Sequence, residues 1–245
     1  MPTRAYVIAQ ARVGSTRLPG KVLLPLAGRP VVEWIFKRAA KARVEGVVLA
    51  IPDLAEDDPL WDLAAKKKCT VYRGDAEDVQ ARYLGAADAV KATIGVRLTC
   101  DNPFVDASLI DLALESHREA GADYSSFAPP FPLGFSVEVF SVEALRRARS
   151  LSSEPYHREH VTPALYQHPE AFRRNAVAPP PSFRRDDVRL TLDTKEDYEA
   201  MKALVALVSD EDPLAVSAER YLTMMAEHPE IRALNARVRQ KRLGE

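Results

Sequence analysis

Along the first half of the chain, short apolar runs alternate with segments whose apolar residues recur at helical spacing. Tyr6 to Ala9 is one such run, and Val47 to Ile51 is a second that Pro52 closes. Runs this short and uniform read as strands buried on both faces. Between them Val31, Trp34, Ile35 and Ala39 share one helical face, which predicts a helix over Pro30 to Val44. Asp58 before Pro59 has the form of a cap followed by a first-turn proline, so a helix is expected from Pro59 to Lys67. Thr70 to Tyr72 is a third strand ending at Gly74, and Asp75 to Lys91 is a helix with Val79, Tyr83, Ala86, Ala87 and Val90 on one side. Gly95 to Cys100 is the fourth strand, and Asp106 caps a helix through Ala120.

After Tyr124 the rhythm changes. A loop is expected over Ala128 to Gly134, a strand over Phe135 to Phe140, a helix opened by Ser141 and another over Pro155 to Gln167. Pro179 to Pro181 marks a loop and Val188 to Leu192 a late strand, while Thr194 to Asp197 has the capping-box pattern of a new helix. The rest reads as helices ending in a basic tail, Arg237 to Arg242. Strands separated by helices imply right-handed crossovers and a largely parallel sheet with helices on both faces. Ligands in such α/β folds bind beyond the carboxyl ends of the strands. That puts Gln10 to Lys21, Tyr72 to Asp75 and Asp101 to Asp106 on one rim.

The 245 residues suit one large α/β domain, and no internal repeat is found. A formal charge of −1 argues against bulk binding of nucleic acid or anionic membrane. The balance is uneven: Met1 to Glu45 carries nine Lys or Arg against Glu33 and Glu45, a local excess of seven that hints at a bound anion. Cys69 and Cys100 form neither a zinc spacing nor a disulfide framework. The five-residue apolar run after Arg4 is too short for the core of a signal peptide, and no stretch approaches the ~20 apolar residues of a membrane span. A cytoplasmic protein is expected.

The segment Gln10-Ala11-Arg12-Val13-Gly14-Ser15-Thr16-Arg17-Leu18-Pro19-Gly20-Lys21 follows the first strand directly. Two glycines let backbone N–H groups approach phosphate oxygens, and Arg12, Arg17 and Lys21 can surround a polyphosphate. On spacing alone a solvated basic loop fits equally well. Asp101-Asn102-Pro103 at the end of the fourth strand is common turn chemistry, yet an Asp there faces the ligand rim and can hold Mg²⁺. Asp193 ends a strand before a helix in the same way, and two such aspartates from distant sequence could share one metal. Asp197 is explained as the partner of the Thr194 cap. His157 and His160, three apart, suit acceptor contact or local hydrogen bonding better than a metal. Trp34 and Trp61 are expected in the core, Lys66 to Lys68 in a solvated helix end, and Phe131 and Phe135 either in an acceptor pocket or packed under their loop.

Taken together, the Gln10 to Lys21 segment, Tyr72-Arg73-Gly74-Asp75 with Asp78 to Tyr83, Arg97 to Pro103, Arg158-Glu159-His160-Val161-Thr162-Pro163 and Leu190 to Asp197 resemble the cytidylyltransferases that activate acidic sugars. This is the CMP-Kdo and CMP-sialic acid synthetase group, and the likeness is greatest to its spore-coat polysaccharide (SpsF) branch, over residues 5 to about 200. The resemblance implies a Rossmann-like nucleotidyltransferase fold and transfer of CMP from CTP to an acidic sugar or phosphonate-type acceptor, with loss of pyrophosphate. It implies that Ala11, Arg12, Gly14, Ser15, Arg17, Lys21 and Thr99 bind the nucleotide, that Arg17, Lys21 and Asp101 are catalytic, and that Asp101 and Asp193 hold Mg²⁺. Arg73, Arg82, Arg158 and His160 would meet the acceptor. Thr99 stands where the Kdo enzymes have Gln, so base or acceptor recognition does not transfer at that position. The resemblance also implies a homodimer, with residues 125–185 as the acceptor-binding or dimerisation portion and 209–245 as a helical extension. Two alternatives stay open: a glycosyltransferase using nucleotide sugars, although Asp101 lacks the usual Asp-x-Asp partner, and a non-catalytic nucleotide-binding module.

Overall fold

In the computed structural model, residues 3–67 and 69–240 are described. β1 (Ala5–Gln10) is followed by a two-residue ribbon, β2 (Pro25–Leu26) and β3 (Arg29–Pro30), and by α1 (Val31–Ala39). β4 (Gly46–Pro52), α2 (Asp58–Lys66), β5 (Thr70–Gly74), α3 (Val79–Ala89), β6 (Ile94–Thr99) and α4 (Ala107–Ala120) complete the alternating half. The second half adds β7 (Tyr124–Phe127), β8 (Glu138–Ser141), α5 (Val142–Leu151), α6 (Pro155–His160), α7 (Pro163–Gln167) and β9 (Arg174–Val177). Three helices follow: α8 (Lys195–Ala206), α9 (Ala218–Glu227) and α10 (Pro229–Asn235).

Seven strands form one sheet in the order β5-β4-β1-β6-β8-β7-β9. β5, β4, β1 and β6 run parallel, whereas β8 is antiparallel to both β6 and β7. From β1 the chain first moves outward to β4 and β5, then returns to the other side of β1 as β6. The crevice beyond the ends of β1 and β6 is therefore the topological switch point where α/β sheets bind ligands. Side chains along β1 alternate between two cores: Val7 and Ala9 pack with α1, α4 and the C-terminal helices, while Ile8 packs with Tyr83, Phe140 and Leu145.

Residues 209–240 are tied into the first of these cores. Trp34 is fully buried, donates to the Leu26 carbonyl at 3.0 Å and packs on Phe104, which lies 4.4 Å from the Tyr221 ring of α9. Buried Arg38 donates to four carbonyls, those of Phe104, Val105, Leu214 and Val216. Its charge is consumed in joining these segments, so it plays no part in the anion site that the N-terminal basic excess suggested.

Several boundaries differ from the sequence expectation for local reasons. α1 stops at Ala39 because the chain must turn so that Glu45 N–H can reach the Ala5 carbonyl beside β1. Asp58 is inside α2, and the preceding Asp57 spends its carboxylate on the Val13 amide instead of capping. Asp75 closes a turn by accepting from the amides of Glu77 and Asp78, so α3 begins only at Val79, capped by Asp78. The single helix expected over Pro155 to Gln167 is two, broken where Val161 takes a φ of 73° and Pro163 follows. β7 and β9 are too polar or too short to announce themselves. The expected strand from Phe135 starts at Glu138, and residues 188–192 are extended but pair with the loop at Leu133 and with Asp101 rather than joining the sheet. Trp61 is 43% exposed, beside Arg73, not in the core. Lys68 of the basic turn and Lys241 and Arg242 of the tail lie outside the described residues. Among those described, no helix is long and apolar enough to cross a membrane.

This packing predicts unequal roles for the two tryptophans. Trp34→Ala should cost about 3–5 kcal/mol in chemical denaturation, the range for deleting a buried aromatic side chain. Trp61→Ala should cost about 1 kcal/mol or less, as expected for an exposed ring beside one cation.

Candidate active site

A cavity of about 1000 Å³ opens at the switch point. The loop leaving β1 forms one wall, and its shape is set from behind. Ala11 N–H donates to the Ala50 carbonyl, Val13 N–H to Asp57 Oδ1 at 2.7 Å, and the amides of Ser15 and Gly20 to the Val13 carbonyl. Three of the five amides from Ala11 to Ser15 are thus used internally, while those of Arg12 and Gly14 make no hydrogen bond among the described residues. Burial raises the Asp57 carboxyl above its ordinary value, opposed by the Val13 N–H that it accepts. Gly14 backs onto Glu56: a Cβ there would lie 2.8 Å from Glu56 Oε1. Gly20, at a φ of 69°, makes the left-handed turn that swings Lys21 inward.

Lys21 is the centre of the site. Its Nζ lies 3.0 Å from Asp101 Oδ2, 2.9 Å from Asp193 Oδ1 and 2.7 Å from the Leu192 carbonyl. Arg17 reaches the same Asp193 oxygen at 2.9 Å, and Arg189 holds the other at 3.0 Å while also gripping buried Asp197. Burial would pull the Lys21 ammonium down, but Asp101 and Asp193 outweigh it and hold its pKa above the ordinary value. Burial likewise opposes ionisation of Asp193, yet Lys21, Arg17 and Arg189 keep its pKa below the usual carboxylate value. On the far side of Asp101, the Thr99 hydroxyl donates to Oδ1 at 2.6 Å and itself accepts from the Asn102 amide.

The opposite wall was not found by sequence reasoning. Glu138 of β8 pairs with Arg97 of β6 and accepts from the hydroxyls of Tyr124 at 2.5 Å and Thr162 at 2.6 Å. Burial would raise its pKa, but Arg97, helped by both hydroxyls, holds it below the ordinary value. Arg97 lies over the Tyr83 ring and reaches Gln10 Oε1 at 3.4 Å, linking this wall to the end of β1. A signal was present: each of two otherwise uncharged segments, Gly95 to Cys100 and Phe135 to Phe140, contains one charged residue, and the signs are opposite. Phe131 lines the cavity, stacked on Phe127 at 4.5 Å, whereas Phe135 is buried behind it against Phe183.

Ala11, Arg12, Ser15, Arg17, Lys21, Arg82, Thr99, Asp101, His160 and Asp193 all line this cavity. Gly14 lies behind the loop. Arg73 does not reach the cavity: it pairs with Asp53 and Asp58 and donates to the Leu54 carbonyl, so residues 72–75 end β5 on the expected rim without lining the cavity. Arg158 is also committed elsewhere, to Gln80 and to the carbonyls of Arg149 and Ser152. Both nitrogens of His157 are hydrogen-bonded, to Ser152 and Gln167. Arg82 is almost fully buried, donates to the Asp75 carbonyl and has no carboxylate within ion-pair distance among the described residues.

Comparison with known proteins bears directly on this cavity. The chain matches the cytidylyltransferase family over residues 6–228. It is 37% identical over 229 residues to the spore coat polysaccharide biosynthesis protein SpsF of Bacillus subtilis, covering 91% of this chain and 94% of that one. Identity to the 3-deoxy-manno-octulosonate cytidylyltransferase of Escherichia coli is 32% over 120 residues, about half of each chain (48% and 47%). A solved cytidylyltransferase structure from Leptospira borgpetersenii superposes with a TM-score of 0.83 at 28% identity, over 98% of this chain and 100% of that one.

The Glu138 network makes a pH-dependent prediction. Glu138→Gln strands a buried guanidinium and should cost about 3 kcal/mol at pH 7. Because the folded-state pKa of Glu138 is depressed, its contribution is complete above the unfolded carboxylate value and is lost as pH falls through the lower folded value. The stability gap between wild type and variant, read by denaturant titration, should therefore close in acid, not in base.

Proposed function

The chain belongs to the cytidylyltransferase family, and from that membership and the charge layout of the cavity we propose that it transfers CMP from CTP to an acidic sugar, releasing pyrophosphate. The observation that carries this reading is the convergence of Lys21 on both Asp101 and Asp193, with Arg17 on Asp193. Two fixed cations and two carboxylates at the mouth of a switch-point crevice suit a triphosphate and its counter-ion. The name of the Bacillus subtilis relative supports an acceptor sugar destined for a surface polysaccharide.

Mg²⁺ fits the donor set. Asp101 and Asp193 offer hard oxygens close enough to touch one ammonium, and among the described residues no group of three or more His, Cys, Asp or Glu gathers into a full cage. Mg²⁺ commonly takes one or two carboxylates and completes its shell with phosphate and water. Bound there, it would neutralise phosphate charge and polarise the α-phosphate.

The residues divide the remaining work. Arg17 and Lys21 stabilise charge that develops on the departing pyrophosphate. Arg12, which has no ion pair among the described residues and lines the cavity, binds phosphate oxygens through its side chain and its unused amide. Arg82 and His160 face the acceptor. Arg73 and Arg158, committed outside the cavity, take no part. Thr99 orients Asp101 through its 2.6 Å hydrogen bond.

Pyrophosphate release should depend on CTP in preference to ATP, GTP or UTP when Mg²⁺ and a panel of acidic sugars are supplied; equal use of all four would sink the base assignment. Asp101→Asn should lower turnover by at least about 10²-fold. Its Tm should move by no more than about 4 °C, because Lys21 keeps Asp193.

A further inference from the structure

The chain has five histidines, all within the described residues. Four are committed: His117 to Ser125, His157 to Ser152 and Gln167, His168 to Glu170 and His228 to Glu230. His160 makes no side-chain hydrogen bond or ion pair among the described residues, and it alone of the five lines the large cavity.

The backbone around it is held firmly. His160 ends α6, and the next residue, Val161, is fully buried at a φ of 73°, a conformation that β-branched residues rarely adopt. Gln80 Nε2 donates to the Val161 carbonyl at 2.8 Å, and the Thr162 hydroxyl is fixed on Glu138. The chain following His160 is pinned while its ring stays unpaired and half-buried in the cavity wall.

Charged and titratable groups of several elements face it. Glu159 of its own helix, Arg97 of β6 and Glu138 of β8 act on it electrostatically, while Arg82 of α3, Tyr124 of β7 and Tyr166 of α7 line the same cavity. Arg97 and Glu138 largely cancel through their own pairing. Burial lowers the imidazole below its ordinary value, with Glu159 opposing and Arg97 adding, so the ring is neutral at pH 7 and able to accept a proton.

Resting on the cytidylyl-transfer reading above, we infer that His160 is the general base of the reaction, taking the proton from a sugar hydroxyl as that oxygen attacks CTP. The acceptor O–H bond breaks and its proton passes to an imidazole nitrogen, while the freed electron pair forms the new bond to the α-phosphorus. The bond from the α-phosphorus to the bridging oxygen breaks, and pyrophosphate leaves with that electron pair. A base is of use only to an acceptor that brings a proton, so the substrate class is a hydroxyl of an acidic sugar rather than a phosphate or phosphonate oxyanion.

The test is His160→Gln, which keeps hydrogen-bonding capacity but cannot titrate. Pyrophosphate release would be followed across pH with CTP, Mg²⁺ and a panel of acidic sugars including 3-deoxy-manno-octulosonate, with 2-aminoethylphosphonate as the oxyanion control. Wild-type kcat/KM should fall as pH drops through and below the ordinary imidazole range, because protonation removes the base. In the variant kcat should fall about 10²-fold or more, the acid limb should vanish, and KM for CTP and acceptor should stay within about threefold. A raised acceptor KM with kcat and the acid limb intact would make His160 a contact residue and overturn the assignment. Wild-type turnover with the phosphonate alone would overturn the hydroxyl class. CTP binding by calorimetry separates the two levels: CTP bound but no turnover with any acidic sugar sinks this inference, and no CTP binding sinks cytidylyl transfer itself.

Discussion

One ammonium joins three stretches of chain that are remote in sequence. Lys21 comes from the loop after β1, Asp101 from the end of β6 and Asp193 from the turn before α8, and both carboxylates lie within 3.0 Å of its Nζ. A partly buried cation needs carboxylates, and two partly buried carboxylates crowded together need a cation. The arrangement closes only if the β1 loop, the β6 end and the 188–193 segment are all correctly seated. The Leu192 amide on the Asp101 carbonyl and the Lys21 ammonium on the Leu192 carbonyl provide that seating from the backbone side.

From this centre the cavity divides into walls of different character. The β1 loop and α3 supply cations that have no carboxylate partner among the described residues, Arg12 toward the phosphates and Arg82 toward the acceptor. The β6–β8 wall carries its charges as the Arg97–Glu138 pair, bonded further to Tyr124 and Thr162, and presents hydroxyl and imidazole groups to whatever lies beside it. Such a mostly buried network is rigid, since each member loses a partner if another moves. Its rigidity sets Thr162, and with it the chain following His160, against a strained Val161.

Much of the first half was legible because its elements are defined locally. Apolar runs of four and five residues marked β1 and β4, the short segment Gly95 to Cys100 marked β6, and Asp106 and the Thr194 box capped α4 and α8 as read. Elements whose side chains serve the tertiary structure were misread. Asp58, read as the cap, lies inside α2 while Asp57 at the cap position anchors Val13 instead, and β7 is polar because Tyr124 and Ser125 bond to partners on other elements. The anion loop was visible from its glycines and cations, but which cations face inward was not. Arg38, in the same basic stretch, is spent on four carbonyls, and Arg73 and Arg158 are spent outside the cavity.

The sequence by itself determined the strand–helix alternation, the helix caps, the cation-bearing glycine loop and a family resemblance distributed over residues 5 to about 200. These follow from spacing and residue type, which act over a few neighbours. Only the tertiary structure decided that Asp101 and Asp193 share Lys21, that Glu138 meets Arg97, and that His160 is left unpaired in the cavity among the described residues. The two aspartate pairings and the Arg97–Glu138 pairing span from 41 to 172 positions of chain, and no local pattern carries them. They arise because the sheet order brings β1, β6 and β8 side by side, and a buried charge is tolerated only where another element delivers its partner.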